Sequence, residues 1–318
     1  MSESASLAEL GEFGLIDRIN SGVQFGDDVL VGPGDDCAVV SLDGDTCITV
    51  DVLIEGTHFK QDWSTPVDIG RKAAAASLAD VASMGAVTKF LVVGFGAPAS
   101  TPAAWALGCT AGMRAEAASV GAQIVGGDVT SAGAITISVT ALGSFQGRAP
   151  VLRSGARTGD VVAVAGRLGW AAAGLAVLSR GFRSPKLLVD AHRAPEPPYA
   201  AGVEAAIAGA TAMIDVSDGL VADLRHIAVA SGVTVDIATS EFPIDDALRS
   251  AAAAYNIDPL EWILTGGEDH ALAATFPAGT KLPKGFRAIG TVTAGDPLVT
   301  VNQVPVRKTG GHEHFTGA

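Results

Sequence analysis

The 318-residue chain is short of positive charge. Its 21 Lys and Arg stand against 34 Asp and Glu, a formal net charge of −13. A nucleic-acid footprint needs the opposite sign, so no DNA or RNA partner is expected. Such a protein can still bind phosphates where metal ions invert the local charge. Cysteine is scarce: Cys37, Cys47 and Cys109 form an odd set without CxxC spacing. No basic-plus-apolar leader opens the sequence, so a reduced, cytoplasmic compartment is expected. No apolar run is long enough to span a membrane, and the longest, around Trp170–Leu178, is bounded by Arg167 and Arg180. The loop Gly166-Arg-Leu-Gly169 lacks the Gly-Lys-Ser/Thr of a Walker loop, and the full dinucleotide glycine pattern is missing too. Close helix–strand packing is the expected role of those glycines.

Aromatics supply only 5% of the residues, whereas Ala and Gly abound, which suits tightly packed α/β layers. Hydrophobic content of 48% and charged content of 17% describe a globular chain. Its length is comfortable for two domains. The alternating strand 134–143 closes a first α/β domain near residue 148, before the polar turn 153–160, so an N-terminal domain over 1–148 and a C-terminal domain over 149–318 are expected.

Residues 31–58 organise the sequence. Val31-Gly-Pro-Gly-Asp-Asp36 delivers two carboxylates on a Gly-rich loop, a strand follows, Asp43-Gly44-Asp45 turns the chain, and a second strand from Thr46, ended by Thr57-His58-Phe59, carries Asp51. Asp51 stands among Ile48, Val50, Val52 and Ile54, and an Asp inside an apolar strand is costly to bury alone. A hard divalent cation bound through oxygen is the cheapest partner for clustered carboxylates. Asp80, Asp128, Asp215 and Asp218 recur in similar settings, and one shared metal–phosphate site is the expectation.

Elsewhere the pattern is read locally. Residues 6–20 are a short amphipathic helix interrupted by Gly11-Glu-Phe-Gly14. Residues 66–85 are a helix with Pro66 at its start and Gly85 at its end. Lys72, Ala76 and Asp80 share one stripe of it, which is either a functional face or a solvated one. Residues 88–96 are a buried strand, 101–120 an Ala-rich helix, and 134–143 an alternating strand. Gln123–Asp128 is a strand ending in Gly126-Gly127-Asp128, which serves either as a plain turn or as a close backbone approach to a ligand with a cation-holding Asp behind it. Residues 183–200, with four prolines, are a surface connection. Residues 211–230 are strand, turn and helix. Asp215 and Asp218 flank Ser217 there, as an N-cap with a neighbouring acid or as a metal or nucleotide site. Residues 261–270 repeat the device, with an apolar run followed by Gly266-Gly267-Glu268-Asp269.

Taken in order, Gly-Glu-Phe-Gly-Leu-Ile (11–16), Gly-Asp-Asp (34–36), Val-Asp-Val-Leu-Ile-Glu-Gly-Thr-His-Phe (50–59), Ser-Leu-Ala-Asp-Val-Ala-Ser-Met-Gly (77–85), Gly-Gly-Asp (126–128), Arg-Ser-Gly-Ala (153–156), Ile-Asp-Val-Ser-Asp-Gly-Leu (214–220), Gly-Gly-Glu-Asp (266–269) and a terminal His-Phe resemble the thiamine-monophosphate kinase family. No single motif decides this; their order does, across essentially the whole chain. The resemblance implies an α/β (α+β), two-domain aminoimidazole ribotide synthetase-like fold. It further implies an N-terminal sheet that pairs with its mate across a homodimer and a C-terminal α/β domain closing over ATP. The implied reaction is ATP + thiamine monophosphate → ADP + thiamine diphosphate, by direct in-line transfer without a phosphoenzyme or a general base. Several Mg²⁺ ions are implied. By motif, Asp36, Asp51, Asp80, Asp128, Asp215 and Asp218 resemble the Mg²⁺ ligands. Gly127, Asp128, Arg153 and Ser217 resemble ATP contacts, with Lys72 adding charge, and His58 and Glu268 resemble substrate contacts.

The sequence departs from the family pattern at three places. Val50 stands where Thr is common, so a metal contact there is left to its backbone carbonyl. His312 stands where an aromatic usually follows Gly, as a third substrate contact. Ser119 stands where a Tyr often lies near the adenine. Rival readings are a non-catalytic ATP- or metal-binding sensor and another ATP-dependent enzyme of the same superfold, such as aminoimidazole ribotide synthetase. A selenophosphate synthetase would need a reactive Cys in its Gly-rich loop near the N-terminus, and the hydrogenase-maturation dehydratase a C-terminal Cys; the tail ends Phe315-Thr-Gly-Ala318.

Overall fold

A computed structural model describes residues 5–33 and 37–306. Asp36 and His312 lie outside the described residues. The chain divides into two compact units, Met1–Val81 with Val87–Gly147, and Ala82–Ala86 with Arg148–Ala318.

In the first unit, Ser6 closes a capping box with Glu9 at the start of α1 (Leu7–Leu10), and the chain breaks at Gly11 before α2 (Glu12–Asn20). Gly14 lies within α2. A small antiparallel hairpin, β1 (Val29–Val31) with β2 (Val39–Val40), follows. Then come β3 (Thr46–Ile54), α3 (Pro66–Ser83), β4 (Val87–Ala97), α4 (Ala103–Ser119), β5 (Gln123–Ser131) and β6 (Thr136–Ser144). The four long strands form one sheet in the order β3-β6-β4-β5, antiparallel except for β4 with β5. Along β6, Ile137, Val139 and Ala141 are fully buried while the intervening Thr136, Ser138 and Thr140 are not, the period of a strand with one face on a core.

Two local expectations change here. The row Ile48, Val50, Val52 and Ile54 does not surround Asp51. Side chains alternate along a strand, so these four lie on the exposed face of β3 while Thr49, Asp51 and Leu53 share the other. In addition, β5 does not stop at Gly126-Gly127-Asp128 but runs on to Ser131, because Gly127 and Asp128 pair with Val93 and Gly94 of β4.

The second unit contains β7 (Val161–Ala165), α5 (Trp170–Ser179), α6 (Lys186–Arg193), α7 (Tyr199–Ile207), β8 (Ala212–Val216), α8 (Leu220–Ser231), β9 (Thr234–Ile237), α9 (Asp246–Tyr255), α10 (Pro259–Thr265), β10 (Ala271–Phe276), β11 (Phe286–Thr293), β12 (Val299–Val301) and β13 (Val304–Pro305). Its seven-stranded sheet runs β13-β12-β9-β11-β7-β10-β8. Both faces are covered. Val162 and Val164 of β7 enter one core with Leu168, Leu224 and Ile263, while Ala163 and Ala165 enter the opposite core with Ala205, Met213 and Phe276. A strand buried on both faces reads as a near-continuous apolar run: β7 is wholly apolar, and β8 and β10 are interrupted only by Asp215 and Thr275.

The Pro-rich stretch 183–200 is more than a surface connection. Between its prolines lies α6, whose Leu188 and Val189 are fully buried and whose His192 is 4% exposed. Pro185 sits just before the first helical residue, where its missing N–H costs nothing. Among the described residues, no helix is long and apolar enough to cross a membrane.

Candidate active site

In the first unit the acids are set by an exchange between β3 and α3. Ser77 Oγ donates to Asp51 Oδ2 at 2.7 Å, and Thr49 Oγ1 donates to Asp80 Oδ2 at 2.6 Å. Thr49 and Asp51 share a face of β3 by the two-residue strand period. Ser77 and Asp80 share a face of α3 by the three-residue helix spacing. Each element therefore gives one hydroxyl and one carboxylate to the other. The Lys72–Asp80 stripe is not a solvated face: Lys72 is 4% exposed and donates through Nζ to the His58 carbonyl at 3.2 Å. The Ile54 N–H donates to His58 Nδ1 at 3.0 Å, so in the neutral ring the proton sits on Nε2.

Asp128 is not brought beside these acids. It is exposed on β5, at the opposite edge of the sheet from β3, about three strand spacings or ~14 Å away. Gly127 is required by the sheet itself, since a Cβ there would lie 2.2 Å from the Val93 carbonyl oxygen. Gly126, Gly127 and Asp128 line a cavity of about 1080 Å³ within this unit, walled also by Phe13, Val92 and Arg114. That volume suits a nucleotide-sized ligand. Arg114 is held by a 2.6 Å hydrogen bond to the Ile19 carbonyl, and burial lowers its pKa.

In the second unit two turns interlock at the ends of β8 and β10. Asp215, 4% exposed, is the last residue but one of the buried strand β8; Ser217 and Asp218 follow on the turn into α8. The Glu268 N–H donates to the Ser217 carbonyl at 2.7 Å, and the His270 N–H donates to the Val216 carbonyl at 3.0 Å. Gly267 cannot be replaced freely here: a Cβ would stand 2.3 Å from the Ser217 carbonyl oxygen. The next three side chains go to three destinations. Glu268 Oε2 lies 3.3 Å from His192 Nδ1 on α6. Asp269 accepts from the Gly169 and Ala171 N–H groups at 2.6 and 2.8 Å, capping the start of α5. His270 Nδ1 lies 3.1 Å from Asp215 Oδ2. Glu268 and His270 both have left-handed backbones (φ +67° and +51°), uncommon for residues with side chains and concentrated where function holds them.

Sequence reasoning gave no role to Asp223, Asp269 or His270. Asp223 Oδ2 accepts from the Asp218 and Gly219 N–H groups at 3.1 and 3.0 Å and so holds the turn. Burial, with Asp215 adding repulsion, pushes its carboxyl up to about 7 against the pull of the Gly219 N–H. Burial likewise raises Asp269 to about 7, opposed by its two backbone donors. An acid in the first turn of α8 was the available signal for Asp223; Asp269 stands in the Gly-Gly-Glu-Asp device, but its partners, like that of His270, are distant in sequence. Arg153 is exposed on a short turn whose backbone Ser231 fixes, its hydroxyl donating to the Arg153 carbonyl at 2.8 Å.

The donor set is all oxygen. Among the described residues no three Asp, Glu, His or Cys side chains close a metal site by themselves. Incomplete oxygen sites suit Mg²⁺, which is usually held by one or two carboxylates, waters and substrate phosphates rather than by a protein cage. The same set would serve zinc badly, which favours nitrogen and sulfur in closed sites.

The chain matches the family models of AIR synthase related protein, the N-terminal domain over residues 34–145 and the C-terminal domain over 157–299. A thiamine-monophosphate kinase from Mycobacterium tuberculosis is 52% identical over 303 residues, covering 95% of this chain and 90% of that protein. Among solved structures, the thiamine-monophosphate kinase of Stenotrophomonas maltophilia K279a superposes with a TM-score of 0.81 at 31% identity, over 92% of this chain and 96% of that one. The structure of AaThiL complexed with AMPPCP and TMP gives a TM-score of 0.80 at 32% identity, over 99% of this chain and 100% of that one. This chain therefore belongs to the AIR synthase related proteins and, within them, to the thiamine-monophosphate kinase family.

Proposed function

We propose that this chain transfers the γ-phosphoryl group of ATP to thiamine monophosphate, giving ADP and thiamine diphosphate, in a direct in-line step. The observation that carries the activity is 52% identity to a thiamine-monophosphate kinase over nearly the full length. Phosphoryl transfer asks a protein for positioning and charge neutralisation more than for covalent chemistry. The attacking phosphate oxygen is already a nucleophile at neutral pH, so no side chain need act as a base.

In this reading Asp51 and Asp80, with Asp36 and the Val50 carbonyl, hold Mg²⁺ in the first unit, and Asp215 and Asp218 hold it in the second. Asp128 holds Mg²⁺ at the nucleotide phosphates. Bound Mg²⁺ supplies neutralisation of the two anionic phosphates as they approach. Gly127, Arg153 and Ser217 contact ATP, and Lys72 adds positive charge. His58, Glu268 and His312 contact the substrate, with the Glu268 carboxylate matched to the cationic thiazolium. The oxygen-only donor set and the hydroxyls that orient Asp51 and Asp80 support the metal assignment.

A homodimer is part of the proposal. Ile48, Val50, Val52 and Ile54 are 67%, 58%, 44% and 38% exposed in one row on β3, an edge strand. A contiguous aliphatic row of this kind marks an interaction surface, and a second copy of the same sheet matches it. A cytoplasmic setting fits three free cysteines.

The test is thiamine diphosphate formation from thiamine monophosphate and ATP, with and without Mg²⁺. Metal-dependent product is expected. ATP binding without any product would leave a sensor or another enzyme of this superfold in its place.

A further inference from the structure

His270 has no role in the reading above, yet it grips the end of β8 twice. Its N–H donates to the Val216 carbonyl at 3.0 Å, and its Nδ1 lies 3.1 Å from Asp215 Oδ2. Both side chains are buried, at 8% and 4% exposure. An ionised carboxylate only accepts, so the proton of this bond sits on Nδ1. Among the described residues no other hydrogen bond to the Asp215 carboxylate is made. The terminal torsion of an Asp is broad, so a carboxylate without a donor turns freely between its two oxygens. Asp223 nearby is turned instead to the Asp218 and Gly219 N–H groups, from which its Oδ2 accepts.

We propose that His270 is a positioning residue for metal binding: its Nδ1–H fixes Oδ2 of Asp215 and leaves Oδ1 for the cation. The proposal rests on Asp215 being a Mg²⁺ ligand. Outer-shell donors of this kind are typically worth about 10- to 100-fold in metal affinity or activity. The left-handed backbone at 270 narrows the residues that can do this work. Asn tolerates that conformation and carries an amide nitrogen where His carries Nδ1, so it should substitute; Phe keeps the ring and loses the donor.

The experiment is Mn²⁺ binding, read from the paramagnetic resonance of free Mn²⁺, with the protein saturated by a non-hydrolysable ATP analogue. Wild type, His270→Phe, His270→Asn and Asp215→Asn are compared, and thermal unfolding is measured without metal. The expected result is Mn²⁺ binding weakened about 10- to 100-fold in His270→Phe and in Asp215→Asn, and held within about 3-fold of wild type in His270→Asn. Should His270→Phe fail to fold, His270→Gln, whose amide lies one bond further out, replaces it with the same expectation. Wild-type binding in His270→Phe beside weakened binding in Asp215→Asn overturns the role of His270 alone, as does equal weakening in the Phe and Asn variants. Wild-type binding in Asp215→Asn overturns the metal assignment of Asp215 itself.

Discussion

Ser77 Oγ stands 2.7 Å from Asp51 Oδ2, so the acid in the middle of β3 is oriented by a helix rather than by its own strand. An Asn at position 51 would still accept that bond but would carry no charge. Asp51→Asn is therefore expected to lower turnover by about 100-fold or more, a loss of ~3 kcal/mol in transition-state stabilisation, with an unchanged circular dichroism spectrum. Ser77→Ala should cost about 5-fold, the worth of one ordinary hydrogen bond. Full activity in Asp51→Asn would remove the core of the metal argument.

Asp128 offers a cleaner separation of binding from folding, because it is exposed and lines the large cavity. Asp128→Asn should raise KM for MgATP about tenfold, or ~1.4 kcal/mol, and lower turnover. Its unfolding free energy should stay within about 0.5 kcal/mol of wild type. Steady-state kinetics with ATP varied, beside urea unfolding, checks both halves; wild-type kinetics would sink the assignment.

Asp269 gives a pH dependence of stability. Its folded carboxyl titrates at about 7, against 3.8 for an ordinary Asp, because burial disfavours the charge. Between those values the unfolded chain is ionised while the folded one keeps its proton. Stability therefore falls as pH rises from about 4 to about 7 and levels off above, by an amount on the order of 4 kcal/mol from this group. Melting temperatures across that range should show the slope, and Asp269→Asn should make it shallower, leaving the share of Asp223, which is also raised to about 7. Asp269→Ala should lower stability by about 2 kcal/mol above about pH 7, where the start of α5 loses both acceptors, and by more at about pH 4, where wild type is most stable.

The aliphatic row on β3 predicts an oligomer that one charge can break. Val52 is 44% exposed in that row. Val52→Lys places an ammonium in the middle of the proposed interface, where desolvating it costs several kcal/mol. Sedimentation velocity should find wild type as a dimer and the variant as a folded monomer; a monomeric wild type would refute the interface.

Much of this was legible in the sequence, for reasons that differ by element. The buried strand β7 is an unbroken apolar run, β8 is one broken only by Asp215, and α3 carries its Pro66 and Gly85 punctuation, so these are local signals. Asp51, Asp80 and Asp215 were legible because a carboxylate in an apolar setting demands a partner. The misreadings have the same root. Along the sequence Ile48 to Ile54 surround Asp51, but neighbours in a strand point away from each other. The end of β5 was set at a Gly-Gly-Asp that β4 in fact continues to pair. Leu188 and Val189 were hidden between prolines, although helical spacing joins them to His192. The partners of Asp269 could not be read, because the N–H groups it caps lie 100 and 98 residues earlier.

Glu268, Asp269 and His270 reach a histidine on α6, the first turn of α5 and an acid at the end of β8 from consecutive positions. Nothing between them can be lengthened or shortened by one residue, because a shift would deliver each side chain to its neighbour's destination. Three structural duties are thereby bound into a single evolutionary unit. Change in this part of the enzyme is confined to substitution, and insertions must be absorbed outside it, before Gly266 or beyond the end of β10.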